Sequence, residues 1–144
     1  MDKVKHFAVY QVGGPIYGVG LNKETAMIDA QQWVDERSKD ENGNVIVQDD
    51  NRIDGNLCLA ECSEEVFLKA ADTGGDFRYI DEGTRPYNCL YLPGEVMKIN
   101  GIEISPAVYK YAEDISKIWR TAKPEEVLQG TFDYFKIGKV VRQG

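Results

Sequence analysis

FAVYQVGGPIYGVGLNKETAMIDAQQWVDE, residues 7–36 of a 144-residue chain, contains the change of hydrophobic period that decides the fold. Phe7 to Val12 is dense in aromatic and β-branched residues, as a half-buried strand requires. Gly13, Gly14 and Pro15 stop it, because glycine admits positive φ and proline has no N–H for the ladder. Ile16 to Val19 then returns as a second strand, and the pair is a hairpin. Asn22 is a good helix cap, and Ala26, Met27, Ala30, Trp33 and Val34 recur at helical spacing, which predicts one strongly amphipathic helix packed on the sheet.

Outward from this unit, Asp40-Glu41-Asn42-Gly43 predicts a turn before a third strand at Val45 to Val47. A polar turn, Asp49 to Asn56, precedes a fourth strand, Leu57 to Cys62, whose two faces differ little in polarity. Ser63 caps a second helix, with Glu64 and Glu65 near the positive end of its dipole, Val66, Phe67, Ala70 and Ala71 on one face, and Gly74-Gly75 as its stop. Phe77 to Ile80 reads as extended, Asp81 to Pro86 as a loop, and Cys89 to Leu92 as a strand. Asn100-Gly101, between Glu95 to Ile99 and Ile102 to Ser105, is the strongest hairpin signal in the chain. Ser105-Pro106 opens a third helix with an apolar stripe of Val108, Tyr111, Ala112, Ile115, Ile118 and Trp119. A short helical turn starts at Pro124 and stops near Gly130, and Thr131 to Val141 reads as either a last strand or an irregular tail, the strand being favoured. Tight turns between strands and incomplete strand–helix alternation predict a single α+β domain over residues 1–144. Its sheet is mainly antiparallel, of about five to seven strands, with two longer helices and one or two short ones on one face.

Apolar residues make up 42% and charged residues 28% of the chain, an average globular usage that excludes disorder and fibrous repeats. The start MDKVKHF carries no apolar leader and no run is long enough to span a bilayer. Three cysteines, Cys58, Cys62 and Cys89, cannot all pair within one chain. Together these predict a soluble cytoplasmic protein with reduced thiols and no membrane partner. The net charge of −7 is uneven: residues 35–82 hold 14 acids and 5 bases, and the rest 10 acids and 12 bases. One acidic block repels nucleic acid, attracts basic partners, and also keeps an ordinary domain soluble.

Gly18, Gly20, Lys23 and Thr25 lie between a strand and a helix N-terminus, where backbone N–H groups can receive a phosphate. Lys23 stands where the dinucleotide fingerprint needs a third glycine, and the Walker run Gly-Lys-Ser/Thr is absent, so these residues form a weak ligand-binding alternative. GVGLNKETAMIDA resembles the glycine, polar cap, Glu-x-Ala and Ala spacing of HicB-type antitoxins, in which a hairpin leads into a helix on a small sheet. That likeness covers about a tenth of the chain and rests on capping and packing residues. Asp50, Asp54, Gly55 and Glu61 trace the outline of a calcium loop, but Arg52 puts a cation at a ligand position. Cys58, Cys62, Cys89 and His6 make a zinc set, or a cysteine–histidine pair, only if the fold gathers them. No cofactor and no metal are expected.

The function these features favour is a small acidic, non-enzymatic protein that binds and inhibits a basic nucleic-acid-handling protein or toxin, presenting a charge pattern like that of nucleic acid. The expected contact residues are Asp35, Glu36, Asp49, Asp50, Asp54, Glu64, Glu65, Asp81 and Glu82, with Tyr79 as an aromatic anchor. The alternatives are a small-ligand or nucleotide module at Gly18 to Thr25 and a cysteine- or carboxylate-dependent enzyme.

Overall fold

A computed structural model describes residues 4–99, 102–119 and 139–143, with side chains at 4–98 and 103–115. The predicted hairpin is β1 (His6–Gln11) and β2 (Ile16–Gly20), paired antiparallel with an irregularity at Val9/Tyr10. α1 (Lys23–Ala30) opens on a reciprocal cap: the Asn22 side chain accepts the Thr25 N–H at 2.8 Å while Thr25 Oγ1 accepts the Asn22 N–H at 3.3 Å. The helix ends at Ala30, earlier than its apolar spacing implies, in turns where the N–H groups of Trp33 and Val34 both donate to the Ala30 carbonyl. Val34 still reaches the core, but Trp33 is 69% exposed, so the predicted helix face is corrected at that residue.

β3 (Leu57–Cys62) pairs antiparallel with β1, and α2 (Glu64–Thr73) follows from its Ser63 cap. β4 (Arg78–Glu82) and β5 (Cys89–Tyr91) are antiparallel, and β5 lies parallel to β3. β6 (Met97–Ile99) and β7 (Ile102–Ile104) form a separate hairpin, while the Asn100-Gly101 turn itself lies outside the described residues. α3 (Pro106–Trp119) starts where predicted, with Ser105 Oγ accepting the Val108 N–H; the Ile118 and Trp119 side chains lie outside the described set. β8 (Lys139–Gln143) pairs with β4. The turn expected at Pro124 to Gly130 and most of Thr131 to Val141 also lie outside the described residues. The sheet order is β2-β1-β3-β5-β4-β8, five strands from the first 91 residues with β8 added at one edge.

Two expectations need correction. Val45 to Val47 is not a strand: only a single bridge, Lys39 to Val45, forms there, and Val45 packs into the core while Ile46 is half-exposed. Helices also cover both faces of the sheet. Tyr10, Cys58, Cys62, Leu90 and Tyr79 pack with Val66 of α2. On the other face, Val9 and Leu59 meet Ala26 and Ala30 of α1, while Ile80, Cys89 and Tyr91 meet Ala107 and Val108 of α3. This explains the matched polarity of the two faces of β3, since a strand buried on both sides has no solvated face to mark.

Candidate functional site

Among the described residues β2 is an edge strand, and its glycines let α1 lie directly on it. A Cβ on Gly18 would stand 2.4 Å from the Ala30 nitrogen, and one on Gly20 would stand 2.2 Å from Thr25 Oγ1. The residues read as a phosphate turn are therefore committed to helix–strand packing and capping. From the opposite face, the segment after α2 brings Gly75 against the outer edge of β2, where the Ile16 N–H donates to the Gly75 carbonyl at 3.0 Å. The two helices thus flank the strand edge from either side, leaving a groove of about 1040 Å³ along β2. Ile16, Val19 and Leu21 form its floor, Trp33 belongs to the α1 side, and Phe67, Ala70 and Ala71 form the α2 side. Leu21 is 57% exposed, so together with Trp33 the groove presents large apolar surface to solvent.

Among the described residues, the charged side chains lining the groove are Asp29 and Asp76, both acidic. Asp29 Oδ2 also accepts the Val19 N–H at 3.0 Å. Of the ligand-binding alternative, Gly18, Gly20 and Thr25 line this groove, whereas Lys23 faces a smaller cleft of about 230 Å³. That cleft is bordered by Arg85, Tyr87, Lys110, Glu61 and Asp114, and its charges are largely matched: Lys110 Nζ meets Asp114 at 2.9 Å and Lys5 meets Glu61 at 3.0 Å.

The expected acidic surface is divided. Asp35, Glu36, Asp49, Asp54, Glu64 and Glu65 are exposed, and Asp50 is half-buried. Asp49, Asp50 and Asp54 precede β3, whereas Glu64 and Glu65 follow it, so the length of a six-residue strand, about 17 Å, separates them. Hydrogen bonds from the Arg37 backbone and guanidinium hold the Asp35 carboxyl below the usual carboxylate range, and Arg52 does the same for Asp50. Arg52 donates to both Asp50 oxygens, which fills the first position of the supposed calcium loop.

Tyr79, Asp81 and Glu82 are corrected outright. Asp81 and Glu82 belong to β4 and not to a loop, and their exposures are 1% and 4%, with Tyr79 at 0%. They cannot meet a partner. Asp81 instead centres a buried network: Oδ2 accepts from the Tyr10 hydroxyl at 2.8 Å, Oδ1 accepts from Asn88 Nδ2 at 2.9 Å, and Asn51 Nδ2 reaches both oxygens. Glu82 accepts from the Tyr91 and Ser105 hydroxyls, which ties β4 to the start of α3.

The sheet divides the cysteines: Cys58 and Cys62 lie on the α2 face and Cys89 on the other. His6 packs against Phe67 with the rings tilted by 49° and their centroids 4.8 Å apart. Among the described residues, no three histidine, cysteine or carboxylate side chains converge as metal ligands. Burial pushes the Cys58 thiol up to about 11 and raises Cys62 and Cys89 as well, so little thiolate exists near neutral pH. Burial likewise raises the Tyr10 and Tyr91 hydroxyls. An acid whose folded pKa is raised keeps its proton in the native state while the unfolded chain loses its own. Stability is therefore full below about pH 8.5 and falls as pH climbs towards 11, by up to about 1.4 kcal/mol per pH unit for each such group. Urea midpoints measured from pH 7 to 10.5 should decline steadily above pH 9; a flat profile would contradict the burial of these groups.

Sequence reasoning reaches Gly18, Gly20 and Thr25 on this groove but not the groove itself: it places Trp33 on the packed helix face, reads Gly74-Gly75 as a helix stop, and gives Leu21 no role. The one available signal was Leu21, an apolar residue immediately before a polar cap. Comparisons with family models, curated proteins and solved structures find no match to this chain. No helix among the described residues is long and apolar enough to cross a membrane.

Proposed function

We propose that the chain is a non-catalytic binding module that holds a basic protein partner, of the inhibitor or immunity type, in the groove along β2. The observation that carries this reading is an open, largely apolar groove of about 1040 Å³ whose charged lining is acidic. An apolar floor supplies affinity, and acidic groups at the margin select for and steer a cationic partner. The acids exposed before β3 strengthen the long-range field of a chain with net charge −7. Burial of all three cysteines weighs against a thiol enzyme.

A photo-crosslinking residue at Ala71, on the groove, and a second at Lys98, on β6, test the reading in extracts of the source cell. The Ala71 probe is expected to capture a basic protein that the Lys98 probe does not, with yield falling as salt rises because exposed charges are screened within about 10 Å at 0.1 M. Capture of acidic proteins, or capture indifferent to salt, would overturn it. Trp33→Ala should change folding stability by no more than about 0.5 kcal/mol, since the side chain is mostly exposed, yet weaken partner binding about tenfold or more.

A further inference from the structure

We infer that the groove along β2 takes an amphipathic, basic α-helix of its partner and not an added strand; this rests on the basic-partner reading above. An exposed sheet edge ordinarily invites an extended peptide, because its unpaired N–H and C=O groups offer a ladder. Here two N–H groups that β2 turns away from β1 are already committed. Ile16 donates to the Gly75 carbonyl and Val19 donates to the Asp29 carboxylate, each at 3.0 Å. An incoming strand would have to displace a side chain at one point and a packed backbone segment at the other. The irregularity opposite Val9 and Tyr10 further breaks the regular spacing that a ladder needs.

A helix needs nothing from that edge, because it satisfies its own backbone. It needs apolar contact over its length, and the groove offers Val19 and Leu21 as a floor between Trp33 and the α2 residues Phe67, Ala70 and Ala71. The dimensions agree: five residues of β2 span about 14 Å, as do about two and a half turns of helix. The charge of the occupant follows from Asp29 and Asp76, which favour lysine or arginine beside the apolar stripe.

Three peptides of about eleven residues test this on the full isotope-labelled chain. The first carries Leu at i, i+3, i+4 and i+7 among Lys and Ala; the second alternates Val and Thr with Lys at the same net charge; the third is the first with Glu for Lys. The basic helical peptide is expected to shift the amides of Gly18 to Leu21 and Ala70 to Gly75, to gain helical circular dichroism on binding, and to bind about tenfold or more tightly than either other peptide. Ala71→Arg, at an exposed helical position, should leave the melting temperature unchanged and weaken this binding about tenfold. Tighter binding of the alternating peptide at the same amides would overturn the helix inference and leave the basic-partner reading standing. Equal binding of the acidic helix, or no shift of those amides by any peptide, would remove both.

Discussion

Gly75→Ala should destabilise the protein by about 3 kcal/mol or more, lowering the melting temperature by roughly 6–12 °C. Glycine-to-alanine changes usually stabilise slightly, by about 0.4–1 kcal/mol, because the unfolded chain loses freedom. Here the sign is set by space. A Cβ on Gly75 would stand 1.7 Å from the Ile16 carbonyl oxygen and 2.6 Å from its carbon, with backbone and not a pliable side chain in the way. The segment after α2 must retreat from β2, which breaks the bond from the Ile16 N–H and leaves that donor beside an apolar floor. The same movement opens the groove, so partner binding should fall along with stability. Thermal unfolding followed by circular dichroism checks the first part, and a stability equal to or above the parent would mean that Gly75 does not abut β2.

Asp81→Asn is the second large effect, expected at about 2–4 kcal/mol despite almost unchanged volume. Tyr10, Asn51 and Asn88 all donate to the two oxygens of Asp81. An amide places its NH₂ against at least one of them in either orientation. Asn51 cannot turn to relieve this, because its Nδ2 also donates to the Gly83 carbonyl and its Oδ1 accepts the Arg85 N–H. Tyr10→Phe removes one donor and leaves the carboxylate its amide partners, so a smaller loss, about 1–2 kcal/mol, is expected. Chemical denaturation of both variants should rank Asp81→Asn below Tyr10→Phe; the reverse order would mean that the carboxylate is not the centre of the network.

Much of the architecture was legible because it is written in local chemistry. Gly13-Gly14-Pro15 turned the first hairpin, Asn22, Ser63 and Ser105-Pro106 capped three helices at the expected residues, and the pairing of β6 with β7 flanks Asn100-Gly101. These devices act over two to four residues, so their meaning survives without the rest of the fold. Where a reading depended on what lies opposite, it went astray. Asp81 and Glu82 look like loop acids by composition, yet their place in β4 beside β5 buries them. Trp33 has helical spacing, but the chain leaves the helix at Ala30 and turns it outward.

The same division separates fold from function. From the amino-acid order alone came an α+β domain, its turns and caps, its strand Leu57 to Cys62, and an acid-rich middle. The tertiary structure alone decided that α1 and α2 lie on opposite faces, that β2 is left at the edge between them, and that Gly75 and Asp29 close its outward donors. Turn and cap chemistry is fixed by neighbours in the chain, whereas a groove is made by surfaces tens of residues apart, which become neighbours only when the strand order places them side by side.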